Sequence, residues 1–242
     1  MIYRFVDCET TGIPVAGGER VGIVEIGYCD MKNDIISPPV SHLVDCGIPI
    51  SIPARAVHHI SDEMTVGEIK PEEACKLLSQ GEHAYTAAHN VDFEKQLIGT
   101  GFIPGTEDVR PWICSYKIAL RLWPEAPGHK LMELRYFLDL DSSDDFDPKL
   151  AMPAHRAAAD AYVGCHLLRR ILIEAAEQQL DIDRLVKWSA GPALLYMCYL
   201  KKHKGVPWKD VPKDYLDWIV NKSDITDRDV RATAKYWLKQ AY

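Results

Sequence analysis

The stretch IYRFVDCETTG, residues 2–12, decides the fold of this chain. Ile2–Asp7 is a short apolar run that ends in a carboxylate, the pattern of a buried strand. In an extended strand residues i and i+2 leave the same face, so Asp7 and Glu9 stand side by side. Two carboxylates at the end of an apolar strand repel, and burying them is costly unless a cation lies between them. A solvated strand end is the other reading of the same residues.

Moving outward, a Gly/Pro-bearing turn over Thr11–Gly18 leads into Val21–Met31, a β-rich run, and Ser41–Cys46 reads as a third strand of one meander. After Pro53 the character changes. Ala54–Ile60 and Pro71–Ser79 read as helices, the second with Pro in its first turn. His83–Ala88 is a short strand, followed by a helix over Asp92–Ile98. Trp112–Leu122 reads as a strand leading into a helix, and Leu131–Leu138 as another helix. After an acidic loop over Ser142–Pro153, Ala157–Gln179 forms a long helix with apolar residues at helical spacing. Three strands followed by alternating helices and strands predict a mixed α/β sheet, an antiparallel meander first and parallel strands after, with helices on both faces.

The 242 residues are 47% hydrophobic and 26% charged, enough to build an ordinary core. Residues 1–180 hold 16 Lys+Arg against 27 Asp+Glu, and residues 181–242 hold 12 against 8. An acidic body with a basic tail predicts two parts, a domain over 1–180 and a small C-terminal module over 181–242, divided at Asp181–Leu185. The acidic body argues against simple electrostatic binding of nucleic acid; divalent cations would neutralise it locally. The N-terminus lacks a signal-peptide core and no apolar run approaches the ~20 residues of a membrane span, so a cytoplasmic protein without membrane contact is expected. Seven scattered cysteines, never spaced C-x-x-C, read as reduced thiols.

Two further stretches carry chemistry. HRAAAD, residues 155–160, puts Asp160 in the first turn of the long helix, where a carboxylate suits the helix dipole. His155, on the preceding loop, has the near-neutral pKa that suits taking a proton from water. An exposed loop histidine and an ordinary first-turn acid are the alternative. AHNVDFEKQL, residues 88–97, offers Asp92 and Glu94 after a short strand, with His89 and Asn90 free to cap the helix or touch substrate. Acids from three separated segments with a mobile histidine suit two divalent cations ~4 Å apart, acting on a phosphodiester. Oxygen donors suit Mg²⁺ or Mn²⁺ rather than zinc.

VDCETTG, AHNVDFE and HRAAAD, in this order and at this separation, resemble the three motifs of the DnaQ-like, or DEDDh, 3′→5′ exonucleases, which have an RNase H-like fold. WICSYKIALRLWP (residues 112–124) and SHLVDCGIPISIPARAVHHIS (residues 41–61) resemble segments between the motifs in the exodeoxyribonuclease X-like branch of that family. The resemblance spans about residues 1–175. It implies that Asp7, Glu9 and Asp160 hold one cation, that Asp7 bridges to a second, and that His155 is the general base. It implies that Thr10, Thr11 and Gly12 line the terminal nucleotide, with backbone groups on its 3′ hydroxyl, and that His58, His89, Asn90 and Phe93 lie nearby. One departure stands out. The family's middle motif is His-Asn-x-x-Phe-Asp, so Phe93 sets the register and Glu94 occupies the acid position, with Asp92 as its substitute.

KKHKGVPWKDVPKDYLDWIV, residues 201–220, interleaves basic residues with aromatics. That pattern grips single strands by phosphate contacts and stacking, while Tyr215 and Trp218 at i, i+3 also suit a small helical core. The segment resembles the small domain after the nuclease in exonuclease X-like proteins. The expectation is a 3′→5′ exonuclease that degrades DNA, single-stranded or duplex 3′ ends, to nucleoside 5′-monophosphates. An RNA or oligoribonucleotide exonuclease is the competitor, because such motifs read phosphates and a 3′ end rather than bases. A catalytically weakened end-binding module is the reading from another class. Oligomeric state is left open.

Overall fold

The computed structural model describes residues 1–13, 21–98 and 110–240. The turn expected over Thr11–Gly18 lies outside the described residues from position 14 onward. Strand β1 (Ile2–Thr10) runs antiparallel to β2 (Ile23–Lys32), and the outer edge of β2 carries both β3 (Ile35–Ile36) and β4 (Val40–Leu43). On its other side β1 pairs in parallel with β5 (Tyr85–Ala88), and β5 with β6 (Trp112–Cys114). This is the expected mixed sheet. The two-residue β3 is too short for any periodicity to reveal it.

Alternation along β1 assigns its two faces. Val6 and Cys8 pack with Ala74, Cys75 and Leu78 of α3 (Pro71–Ser79) and with Val91 and Leu97 of α4 (Val91–Ile98). Phe5 points the other way, into a larger core shared with α5 (Ser115–Leu122), α6 (Leu131–Phe137) and the 21-residue α7 (Ala157–Glu177). Two short helices, α1 (Ile52–His58) and α2 (Asp62–Thr65), lie between β4 and α3. Helix α1 starts two residues before its expected position because Ser51 caps it, its Oγ accepting from the Ala54 N–H.

Helix α7 lies very close to the sheet. A Cβ on Gly27 would come within 2.1 Å of the Ala157 backbone, and one on Gly164 within 2.1 Å of the Phe5 ring. Absent side chains at these two positions let the first turn of α7 rest on β2 beside β1.

The C-terminal part, expected to begin at Asp181–Leu185, opens with a helix that packs on the sheet. Helix α8 (Ile182–Ala190) packs on β6 and α5, and Leu185 is buried in the larger core. Ser189 Oγ accepts from the Cys114 N–H at 2.7 Å, and the Lys117 ammonium donates to the Ser189 carbonyl at 3.2 Å. An amphipathic helix follows the largest apolar face within reach, and for α8 that face is the sheet domain, not the basic tail. A separate core forms beyond it, with Trp208 fully buried among Val211, Leu216, Ile219, Val230 and Ala234. It is built by α9 (Lys213–Asn221) and α10 (Arg228–Gln240). All seven cysteines are free thiols, which excludes a disulfide framework. Among the described residues no helix is long and apolar enough to cross a membrane.

Candidate active site

Asp7 and Glu9 lie on the face of β1 that meets α7. Across the ladder Asp7 faces Gly27 and Glu9 faces Glu25, and the register shifts between Glu9 and Thr10. A bulge there re-aims the end of the strand. Because the first turn of α7 rests on Gly27, Asp160 is brought over the same spot. Ligating oxygens of Asp7, Glu9 and Asp160 come within 4.8 Å of one another. Sequence positions more than 150 residues apart thus form one cluster.

Glu94 stands outside this tight group. It is buried, and its charge is felt by both Asp7 and Cys8. Asp92 turns away on the exposed side of α4 and forms an ion pair with the buried Lys117 at 2.7 Å. The two acids therefore have different partners, and Glu94 is the one whose charge reaches Asp7.

Burial outweighs the nearby positive charges and lifts every member. Glu9 is raised to about 7, by burial first and then by Asp160 and Glu25. Asp160 is raised to about 6 by burial, against the lowering influence of His155. Burial raises Glu94 to about 8, and burial with Asp160, Glu9 and Glu94 pushes Asp7 well above the carboxylate range. Asp160 Oδ1 and Glu94 Oε2 are buried without a hydrogen-bond partner among the described residues. Buried oxygens are rarely left unpaired in folded proteins. All-oxygen donors, mutual repulsion and orphaned lone pairs together fit a hard divalent cation.

His155 is exposed on the loop before α7, with its backbone in the left-handed region (φ 60°). It lines a cleft of about 660 Å³ with His89, Tyr116, His129, Tyr196 and Met197. The ring of His89 is held between the Ser115 hydroxyl at 2.9 Å and the His129 carbonyl at 2.8 Å, and burial lowers it to about 4. It is a neutral wall of the cleft. Asn90 adopts φ 98° and its carbonyl accepts from the Phe93 N–H, opening α4, while Phe93 packs against the smaller core.

The side chains of three residues expected near the terminal nucleotide are engaged within the fold, which leaves the backbone of the turn, the part expected to meet the 3′ hydroxyl. His58 is buried, accepting from the Ile60 N–H at Nδ1 and donating from Nε2 to the Thr10 carbonyl. The Thr10 hydroxyl bonds the Gly12 carbonyl, and the Thr11 hydroxyl accepts from the Gly22 N–H. Their side chains fix the loop after β1; what they can offer a ligand is its backbone.

The sequence reading passed over Glu25 and Arg156. Glu25 is 1% exposed, receives two bonds from Arg156 at 2.7 and 2.9 Å, and accepts from the Ala157 N–H. This pair clamps the N-terminus of α7 to β2. An acid inside the apolar run IVEIGY was the available signal.

No family model matches the chain. Along its length it is 31% identical to exodeoxyribonuclease 10 of Escherichia coli strain K12, covering 98% of this chain and 99% of that protein. The chain belongs to the exodeoxyribonuclease 10 (exonuclease X) family. It is an exonuclease of the DnaQ-like type. The fold superimposes on a solved exonuclease X in complex with 5′ overhanging duplex DNA with a TM-score of 0.62 and 28% identity, over 77% of this chain and 99% of that one. E. coli exonuclease I in complex with a dT13 oligonucleotide shares the fold, at a TM-score of 0.55 and 13% identity over 74% of this chain and 42% of that one.

Proposed function

We propose that this exonuclease removes nucleotides from the 3′ ends of DNA as nucleoside 5′-monophosphates, using two divalent cations and a histidine base. The carrying observation is the cluster of Asp7, Glu9 and Asp160 with its orphaned buried oxygen. Asp7, Glu9 and Asp160 would hold the first cation, with Asp7 shared and Glu94 turned toward the second. Mg²⁺ or Mn²⁺ bound there would supply charge neutralisation at the phosphate and a more acidic water.

The chain's own groups do the rest. His155 stands at the rim of the cleft, free to accept a proton from the attacking water. His155 lies close enough to the Asp160 carboxylate to lower its pKa against the effect of burial. Water adds to phosphorus, the bond to the 3′ oxygen of the penultimate nucleotide breaks, and the terminal nucleotide leaves with its 5′-phosphate. The departing oxygen takes up a proton, and the strand keeps a free 3′ hydroxyl. The turn fixed by Thr10, Thr11 and His58 presents backbone groups to the terminal nucleotide.

DNA is favoured as substrate because the relative aligned end to end is an exodeoxyribonuclease and the solved exonuclease X carries duplex DNA. Matched single strands of DNA and RNA, incubated with Mn²⁺ and resolved by chromatography, test this. Deoxynucleoside 5′-monophosphates released faster from DNA are expected. Faster release from RNA would assign the enzyme to RNA trimming, and strands retained intact in a complex would make the site an end-binding one.

A further inference from the structure

The C-terminal core carries a groove that the cluster chemistry does not use. It has a volume of about 870 Å³ and is lined by Lys201, Lys202, Lys222, Asp214, Tyr215 and Trp218. Tyr215 is 9% exposed and belongs to the small core, whereas Trp218 is 39% exposed. The two rings stack at 5.4 Å with an interplanar angle of 17°, so the core holds the indole in place. Lys202 Nζ lies 5.0 Å from the Tyr215 ring, and Lys222 meets Asp217 only at 3.8 Å. Among the described residues Lys201 makes no ion pair. Three ammonium groups against one lining carboxylate leave this groove positive on a molecule whose body is acidic.

The groove connects to the cleft through one hairpin. Tyr196 and Met197 wall the cleft beside His155, and Leu200–Lys202 wall the groove. The hairpin is stiffened by Trp208 N–H to the Tyr196 carbonyl and Cys198 N–H to the Val206 carbonyl, each 2.8 Å, and by the Trp208 indole on the Met197 carbonyl. Lys202 follows Met197 by five positions, so the two sites lie at most about 18 Å apart along the chain. That is within the span of ~4–16 nucleotides gripped by single-strand-binding modules.

We propose that this groove binds the unpaired part of the strand being digested, with Lys201, Lys202 and Lys222 on phosphates and a base stacked on Trp218. An exposed indole offers its face to a base only where that base lacks a stacked neighbour, which selects single strands over duplex. The acidic body repels the phosphates beyond the metal centre, and the basic groove holds them. The identity of the strand rests on the nuclease reading; binding itself does not.

The test is fluorescence anisotropy of full-length protein with a labelled oligothymidylate of about 20 nucleotides, in EDTA so that nothing is cleaved. Unsubstituted protein, Lys201→Gln/Lys202→Gln and Trp218→Ala are compared across salt concentrations. Both variants bind about tenfold more weakly, and the lysine pair lowers the slope of log K against log salt by about 1.4. Circular dichroism checks folding; the two lysines are exposed, so that variant remains informative if Trp218→Ala unfolds. Unchanged affinity and slope overturn the proposal, as does equal competition by poly-glutamate, which would assign the groove to acidic protein segments. Turnover of the same strand by unsubstituted protein with Mn²⁺ tests the nuclease reading separately.

Discussion

Asp92 and Glu94 lie two residues apart on α4 in different surroundings. Glu94 is buried with an unpaired oxygen and its charge reaches Asp7, and Asp92 neutralises Lys117, whose side chain is 3% exposed. Glu94→Asp should therefore retain measurable turnover with a higher Mn²⁺ requirement, read by titrating the metal in a nuclease assay. Asp92→Ala should keep the catalytic site but strand a buried ammonium, lowering stability by about 1–3 kcal/mol in denaturant titration. A larger loss of turnover in Asp92→Ala than in Glu94→Ala would reverse these roles. His155→Ala should cost about 10²–10⁴-fold in turnover, the usual contribution of a positioned base. The motif register pointed to Glu94 from the sequence because Phe93 anchors it. The Lys117 partnership was not legible, since it joins residues 25 apart on different helices.

At the scale of elements, the geometry of the acid cluster depends on how closely α7 approaches β2. Gly27→Ala would drive a methyl into the Ala157 backbone, which cannot yield as a side chain can. It should destabilise the protein by about 1–3 kcal/mol and reduce turnover more than Gly191→Ala, which touches no core. Thermal unfolding and initial rates measured on both variants check this. Glu25 and Arg156 belong to the same device: one end of the pair is fully buried, so removing Arg156 leaves an uncompensated charge under the first turn of α7. Periodicity revealed β1, β2, α4 and α7, whose apolar faces are long enough to show a period. The placement of α8 was hidden, because charge marked it as part of the basic tail while Leu185 and Ser189 joined it to the sheet. We place the domain boundary after α8, near Gly191.

Across the whole molecule, a negative body holds its acids together at a cost in stability. Glu9, Asp160 and Glu94 keep their protons to higher pH in the folded state than in the unfolded chain. Unfolding then releases protons, so metal-free protein loses stability as pH rises from about 4.5 to about 8. Thermal unfolding in EDTA should show a falling midpoint over that window, and saturating Mn²⁺ should raise the midpoint most at its upper end. Asp7→Asn should flatten the fall, because it removes the charge that its neighbours resist. The general form of the site was open to the sequence in three short motifs. Its clamp and its cleft wall at Tyr196 and Met197 required the fold that joins them, whereas the basic and aromatic residues of the groove already stood out in residues 201–220.

The most direct measurement is digestion of a 5′-labelled single-stranded DNA by unsubstituted protein and by Asp7→Asn, each with Mg²⁺ and with EDTA. A ladder that shortens stepwise from the 3′ end, present only with unsubstituted protein and Mg²⁺, is the predicted result. Loss of the 5′ label as a mononucleotide, equal digestion in EDTA, or full activity in Asp7→Asn would contradict the account.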